Sequence, residues 1–439
     1  MKPILKLWFV ILLIKLVIAA SLPLFADEAY YWTWSHHLQL SYFDHPGFIS
    51  WLISLGRPFE GLWFLVRWPA VIFGHIALLF WIALLRPHLN LDQLKAFVLL
   101  FAVAPLTGLG MIILTPDLPL LFFWSASLYL SDRALRTGEL RWYVLLGAAL
   151  GLGFCAKYHM VLFIPFVITW LTWSRHWSRI NWRGLGLTIL MGFVFSLPVI
   201  IWNVKNDYIS FLFQYQHGLV RDKFNMRWPV EYVWQQAILV FPPLLWGVWR
   251  LGFRHLRKML WSGVSVPLIF FFLASFKGPS EANWPSLAYP AVFALAAMNP
   301  TRIWRRFFFG FWLTLTVVVL SEIYHPWIPE PSISQAAQAP RDFARLAQQL
   351  VPYSPLYADS YQTAGQISFY SGRQIYKLRG LNRFDQYDLY PQSLPTSEEF
   401  YVLTSRPGIP SEITRMNLYE IKEQKPLFAD YHLLKVKRK

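Results

Sequence analysis

Long apolar segments separated by short polar loops occupy the first three quarters of the chain. A helix needs about 20 mostly apolar residues to cross the hydrocarbon core of a bilayer. Segments of this type recur up to about residue 322, which predicts a polytopic α-helical membrane protein. We predict eleven membrane-spanning helices, several of them short, at residues 4–24, 68–85, 96–114, 118–131, 143–156, 159–174, 184–202, 232–249, 261–276, 285–299 and 307–322. A short interfacial helix is also expected between Pro46 and Arg67.

The last hundred residues have a different pattern. Residues 329–340 are rich in Ser, Gln and Pro, which predicts a linker after a membrane domain over residues 1–328. Residues 341–439 alternate polar and apolar positions, which indicates a small α/β domain in water. The elements predicted there are a helix over Arg341–Leu350 and strands over Pro355–Tyr361, Gln374–Leu378 and Phe400–Thr404.

The distribution of charge predicts the orientation in the membrane. The proposed inner segments contain 17 basic and three acidic residues, whereas the outer loops up to residue 322 contain eight basic and ten acidic residues. Cytoplasmic loops normally carry this excess of Lys and Arg. We therefore place the N-terminus in the cytoplasm and the C-terminal domain on the outer, periplasmic face. As an alternative, residues 1–20 could be a cleaved signal peptide, which would leave the outer loops unchanged.

Composition supports this class of protein. The chain is 56% hydrophobic and 15% charged, whereas soluble domains carry about 25% charged residues. The net charge of +16 fits the positive-inside bias and contact with membrane lipids, so nucleic acid is not an expected partner. A single cysteine excludes an intramolecular disulfide and a cysteine-cluster metal site.

Unusual polar residues gather in the predicted outer loops. Charged groups at the edge of a bilayer are costly and are therefore functional candidates. Carboxylates can act as bases or bind a metal, and Lys, Arg and His can hold a phosphate, so both sets together suggest chemistry on a lipid phosphate. The candidates are Asp27, Glu28, Asp44 and His45 in the first outer loop, Asp117 and then Lys157 and Tyr158 in tight turns, Arg221 in a long loop, and Glu281 and Asn283 in the next loop.

Simpler structural roles are open for several of these residues. Asp27 and Glu28 could cap the interfacial helix that follows them, and Asp117 could cap the next span. Lys157 could be a lysine that extends to the membrane surface, and His45 could be a turn residue. Arg221 lies in a run of charged residues that could simply be exposed to water. The functional reading gains weight because all these residues share one predicted face.

Two motifs in the first loop carry a family resemblance. Asp27-Glu28-Ala29-Tyr30-Tyr31-Trp32, followed by Tyr42-Phe43-Asp44-His45-Pro46, resembles the first-loop signature of the PMT-like glycosyltransferases of the GT-C superfamily. This group includes the dolichyl-phosphate-mannose protein mannosyltransferases of family 39 and the aminoarabinose lipid A transferases of family 83. Thr115-Pro116-Asp117 resembles their second acidic motif, and Ala156-Lys157-Tyr158 and Glu281-Ala282-Asn283-Trp284-Pro285 are similar to patterns in bacterial members.

The resemblance implies a GT-C fold over roughly residues 1–330 and an inverting sugar transfer. The implied donor is a sugar linked to polyprenyl phosphate, and the acceptor is lipid A, another envelope glycan or a protein. Asp27 would be the catalytic residue that takes the acceptor's proton or orients the acceptor, and Asp117 the second catalytic acid. Glu28 would support the loop or bind substrate. Substrate-binding roles are expected for the remaining candidates: Asp44, His45, Lys157, Tyr158, Arg221, Glu281 and Asn283.

The resemblance leaves two features of the site open: the residue that binds the lipid phosphate, and the presence of a metal. Lipid A transferases use a lysine where His45 stands in this sequence, so His45, Lys157 and Arg221 are all candidate ligands for the lipid phosphate. A divalent metal between Asp27 and Asp117 is compatible with the pattern, although no feature requires one.

A transporter or flippase of lipid-linked sugars is the main competing function, and a membrane scaffold is a third. Transporters usually place their sites near the bilayer midplane and have internal repeats, neither of which this sequence indicates.

Overall fold

Most of the described chain is helical, and each predicted span overlaps a helix. The computed structural model describes residues 1–62, 64–219, 224–248, 255–299, 301–405, 412–413, 418–428 and 430–439. The α-helices of this part are α1 (Lys2–Ser21), α2 (Ala26–His36), α3 (Phe48–Gly56), α4 (Trp68–Leu85), α5 (Leu91–Val103), α6 (Asp117–Thr137), α7 (Leu140–Ala156), α8 (Phe163–Ser174), α9 (Trp182–Lys205), α10 (Ile209–Leu219), α11 (Arg227–Val240), α12 (His255–Ser275), α13 (Tyr289–Met298), α14 (Ile303–Tyr324), α15 (Pro331–Gln349) and α16 (Tyr361–Ser371).

Five helical segments of the described part are long and apolar enough to cross a membrane. They are α1, Leu65–Leu85 with α4, α9, α12 and α14, and shorter apolar helices cover Leu140–Ala156, Tyr158–Ser174 and Trp284–Met298. The protein is therefore a polytopic α-helical membrane protein, as the sequence predicts, while the number of eleven crossings stays a prediction. A short helix, α3, is present after Pro46 as expected, and its interfacial location stays a prediction.

Two predicted spans end earlier than expected. The span predicted over 232–249 is α-helical only to Val240 in α11, because Phe241 has a φ of +50°. The apolar pattern predicts a helix over 96–114, but α5 ends at Val103 and a short 3₁₀ turn follows at Leu109–Met111. Pro105 explains the break, because proline disfavours a helical residue before it and cannot donate a backbone hydrogen bond. The irregular segment has a polar partner in α1, since Lys15 Nζ donates to the Thr107 carbonyl at 2.9 Å. A lysine inside the first span is thus paired within the protein.

Small residues let α7 and α9 approach closely. A Cβ atom on Gly147 would lie 2.5 Å from the Thr188 carbonyl oxygen, and one on Gly151 would lie 2.5 Å from that of Gly192. Helices in membranes commonly pack through such small residues spaced four apart, because close backbones gain van der Waals contact. This pair holds the end of α7, where Lys157 follows, in a fixed position.

The C-terminal part contains a five-stranded mixed sheet. Strands β1 (Leu356–Ala358), β2 (Tyr376–Lys377), β3 (Glu399–Thr404), β4 (Tyr419–Pro426) and β5 (His432–Arg438) lie in the order β2-β1-β3-β5-β4. β1 pairs in parallel with β2 and β3, whereas β5 pairs antiparallel with β3 and β4. The three predicted strands are present. The helix expected from Arg341 begins instead at Pro331, so most of the predicted linker is helical.

The sheet domain packs directly on the first outer loop. Gly365 of α16 lies so close to α2 that a Cβ atom there would be 2.9 Å from the backbone of Ala29 and Tyr30. Gln366 Nε2 donates to the Leu24 carbonyl at 3.0 Å. Tyr387 and Tyr390 belong to the same buried core as the membrane helices. The first loop and the C-terminal domain therefore lie on the same side of the membrane.

Candidate active site

A cavity of about 670 Å³ opens between the first loop, the membrane helices and the C-terminal domain. Eight of the ten predicted site residues line it, although they span more than 250 positions of sequence: Asp27, Asp44, His45, Asp117, Lys157, Tyr158, Glu281 and Asn283. Apolar walls come from residues such as Phe213, Phe270, Phe271 and Trp284. A deep cleft with convergent polar groups is the usual form of a binding or catalytic site.

Asp27 is positioned in the first turn of α2, where the helix dipole favours a negative charge. The side chain is exposed to the cavity, and the Tyr361 hydroxyl lies 3.5 Å from Asp27 Oδ1. Partial loss of hydration raises the pKa of Asp27 above its ordinary value, while Arg383 and Tyr361 oppose that rise. Asp27 thus presents an accessible carboxylate that is more basic than an aspartate in water.

Glu28, the neighbour of Asp27, has a different environment. Its carboxylate is fully buried and forms an ion pair with Arg67, with Oε2 2.5 Å from Nη2 and Oε1 2.8 Å from Nε. It also accepts hydrogen bonds from the backbone N–H groups of Phe25 and Leu114. Glu28 does not line the cavity, so the geometry favours its role as a loop support and disfavours the predicted role in substrate binding.

Asp44 lies on the cavity wall beside His45. Asp44 Oδ2 accepts a hydrogen bond from the Tyr30 hydroxyl at 2.6 Å, and Oδ1 lies 2.7 Å from Arg383 Nη1. The His45 ring faces Tyr31 at 6.2 Å between ring centroids. Asp44 is therefore neutralised by a cation from the C-terminal domain, and His45 presents an imidazole to the same space.

Asp117 forms a second polar cluster in the lining of the cavity. It opens α6, but its side chain does not cap that helix. Asp117 Oδ1 accepts from Lys157 Nζ at 2.7 Å, and Oδ2 accepts from Asn283 Nδ2 at 2.8 Å. Lys157 is buried rather than extended to the membrane surface. Three elements that are far apart in sequence thus converge on one carboxylate.

The remaining predicted residues fall into two groups. Tyr158 lines the cavity, and its hydroxyl lies 2.8 Å from Ser210 Oγ, while Glu281 lines the cavity in the loop before Asn283. Arg221 lies outside the described residues, so its predicted contact with a phosphate stays a prediction.

Two polar cavity residues from the C-terminal domain were not predicted from the sequence. Tyr361 opens α16 and Arg383 lies in the loop after β2, and both reach the cavity from the C-terminal domain. The Arg383 guanidinium stacks on the Tyr361 ring at 4.6 Å. Although burial lowers the pKa of Arg383, Asp44 and Tyr361 raise it beyond its usual range, so this side chain stays charged. No motif marks either residue, because only the packing of this domain on the first loop brings them here.

The cavity offers few protein side chains that could bind a metal ion. Within the described residue ranges no group of three or more His, Cys, Asp or Glu side chains has the arrangement of a metal site. Both oxygens of Asp117 already accept hydrogen bonds from Lys157 and Asn283. Asp27 is the more accessible of the two predicted carboxylates. The arrangement suits proton transfer at Asp27 and stabilisation of negative charge by Lys157, His45 and Arg383.

Comparison with known proteins relates the chain to one group of enzymes. The family profile for dolichyl-phosphate-mannose-protein mannosyltransferases matches residues 44–202. The lipid A galacturonosyltransferase RgtD of Rhizobium johnstonii is 24% identical over 69% of this chain and 65% of its own length. The undecaprenyl phosphate-alpha-4-amino-4-deoxy-L-arabinose arabinosyl transferase of Edwardsiella ictaluri is 28% identical over 51% of this chain and 43% of its own length. The chain thus spans about two thirds or less of these relatives.

The fold agrees with a solved structure over nearly the whole chain. The apo crystal structure of ArnT from Cupriavidus metallidurans matches with a TM-score of 0.71, 13% identity and coverage of 98% of this chain and 97% of that chain. The ArnT structure bound to undecaprenyl phosphate matches with a TM-score of 0.67, 14% identity and coverage of 99% and 97%. The resemblance read from the first-loop motifs is thereby confirmed: the chain is similar in sequence to PMT-like glycosyltransferases and has the fold of ArnT, with a small α/β domain at its C-terminus.

Proposed function

We propose that the protein is an inverting glycosyltransferase of the bacterial inner membrane. It would move a sugar from an undecaprenyl-phosphate donor to lipid A, another envelope glycan or a protein. The observation that carries this proposal is the cavity that joins Asp27 with the Asp117, Lys157 and Asn283 cluster beside the first loop. The names of the relatives support the donor lipid and favour lipid A as the acceptor.

The proposed chemistry is a single displacement at the anomeric carbon of the sugar. A hydroxyl oxygen of the acceptor forms a bond to that carbon while the bond from the carbon to the phosphate oxygen breaks. The phosphate leaves with the electron pair of the broken bond, and the proton of the acceptor passes to the Asp27 carboxylate. Cations stabilise the charge that develops on the leaving phosphate, a role for Lys157 and His45. Because attack and departure occur on opposite sides, the configuration of the sugar inverts.

Orientation and domain limits belong to the same proposal. We place the N-terminus in the cytoplasm and the α/β domain of residues 341–439 in the periplasm, where α15 (Pro331–Gln349) leads into it from residues 329–340. The charge distribution of the loops supports the orientation, and the packing of α16 on α2 supports a shared outer location for the domain and the site.

The test measures release of undecaprenyl phosphate by purified protein in lipid nanodiscs. The substrates are an undecaprenyl-phosphate-linked sugar labelled in the sugar, tried with aminoarabinose and galacturonic acid, and lipid A as acceptor. Asp27→Asn should lower the rate by at least about 10²-fold, because a positioned base typically contributes 10² to 10⁴. Asp207→Asn, an exposed carboxylate of another outer loop, is the matched control and should keep the wild-type rate.

The same assay separates the transferase from a flippase. A flippase would carry the labelled lipid across the bilayer of a vesicle without breaking the bond between sugar and phosphate. Transport of intact donor without lipid phosphate release, or full transfer by Asp27→Asn, would contradict the proposal.

A further inference from the structure

The C-terminal domain does more than cover the cavity. Two of its side chains, Tyr361 and Arg383, contact the two aspartates of the first loop: the Tyr361 hydroxyl lies 3.5 Å from Asp27, and Arg383 forms an ion pair with Asp44 at 2.7 Å. The two side chains also contact each other, since the guanidinium lies 4.6 Å from the centroid of the tyrosine ring. They therefore form one bridge from Asp27 to Asp44.

The bridge rests on a rigid support. Gln386, three residues after Arg383, donates its backbone N–H to the Tyr30 hydroxyl at 2.9 Å and accepts from the Phe43 N–H at 2.8 Å. The Tyr30 hydroxyl in turn donates to Asp44. The loop itself is pinned by a buried Lys377, whose Nζ lies 2.8 Å from Asp385 and 2.6 Å from Asp388. A side chain held by such a network keeps its orientation, as a catalytic arrangement requires.

We infer that Tyr361 and Arg383 are positioning residues of the active site, which fix the orientation and the basicity of Asp27 from the C-terminal domain. This inference rests on the proposed role of Asp27 as the base. The charged and titratable groups near enough to influence Asp27 are Tyr361, Arg383, Asp44, Tyr31 and Glu28. The two carboxylates disfavour the charged form of Asp27, whereas the guanidinium and the tyrosine hydroxyl favour it. Removal of either residue from the bridge therefore leaves a carboxylate that protonates more readily.

The test is the pH dependence of the transfer rate in three variants of the full chain. If Asp27 must be ionised, the rate falls on the acid side as Asp27 takes up a proton. Arg383→Gln should move this acid limb to higher pH by about one unit, the effect typical of losing a nearby opposite charge. Tyr361→Phe should move it in the same direction by less. Arg383→Lys keeps the charge and should return the limb toward the wild-type position.

Matched controls remove the same chemical groups elsewhere in the domain. Lys437→Gln deletes a positive charge that pairs with Glu398, and Tyr353→Phe deletes a hydroxyl that contacts Lys425. Both should leave the acid limb unchanged. Gel filtration and thermal unfolding of each variant identify any that fails to fold. If Arg383→Gln does not fold, the conservative variants Tyr361→Phe and Arg383→Lys still test the inference.

The outcomes separate this inference from the proposed function. An acid limb that stays in place in both Arg383→Gln and Tyr361→Phe, with or without a lower rate, would overturn the positioning role. Asp27→Asn would still be inactive in that case, so the proposed function would stand. Full activity in Asp27→Asn would instead remove the base itself and with it the basis of the inference.

Discussion

At the scale of single residues, adjacent acids have opposite roles. Asp27 faces the cavity, whereas Glu28 is buried against Arg67 with no exposed side-chain surface on either partner. Removing one partner of a buried ion pair leaves an uncompensated charge and typically costs 3–5 kcal/mol. Glu28 also connects Phe25, Arg67 and Leu114, so it fixes the start of α2 and hence the direction of Asp27.

We therefore predict that Arg67→Met lowers the free energy of unfolding by about 3–5 kcal/mol. The double variant Arg67→Met with Glu28→Gln should recover part of this loss, because it no longer buries an unpaired carboxylate. Arg227→Met, which breaks an exposed pair with Glu231, should barely change stability. Thermal unfolding of the protein in detergent measures all three. A double variant less stable than Arg67→Met would show that the pair is not coupled in this way.

At the scale of elements, the approach of α16 to α2 aligns the C-terminal domain with the site. Gly365→Ala would place a Cβ atom 2.9 Å from backbone atoms of Ala29 and Tyr30, which cannot move without shifting α2. We expect a loss of about 1–3 kcal/mol from this overpacking, together with a lower transfer rate. Gly310→Ala in α14 is the control, because nothing lies within 4 Å of the added atom. Unfolding midpoints and transfer rates of the two variants check the prediction, and wild-type values for Gly365→Ala would refute it.

The same elements show how far the sequence could predict the site. Asp27 and Asp117 could be found because short acidic motifs beside apolar spans are conspicuous and resemble a known family. Arg383 could not, because it lies in an irregular loop and reaches Asp44 only through tertiary packing. Strands β4 and β5 were not predicted either. The residues of β4 are mostly exposed and half of them are charged, so no clear apolar alternation marks that strand. Local patterns thus predicted the helices and the motifs, whereas the contribution of the C-terminal domain depends on long-range contacts.

At the scale of the whole molecule, the side of the membrane on which the sheet domain lies determines the side on which the first loop and the cavity lie. The sheet domain, the first loop and the cavity form one packed unit through Gln366, Gln386 and Gly365. The side of the membrane that holds the sheet is therefore also the side that holds the cavity in which we propose the sugar transfer. Positive charge in the opposite loops predicts that this side is the periplasm.

Labelling of single introduced cysteines tests this orientation, and the chain is suited to it because its one native cysteine, Cys155, is buried. A membrane-impermeant maleimide added to intact spheroplasts should label Lys422→Cys on the exposed face of β4. Arg86→Cys, in the exposed loop between α4 and α5, should react only after the membrane is permeabilised. The reverse pattern would place the cavity in the cytoplasm, where a donor presented at the outer face could not reach Asp27. Because sheet and cavity share one side, this single comparison decides whether the proposed reaction can occur in the periplasm.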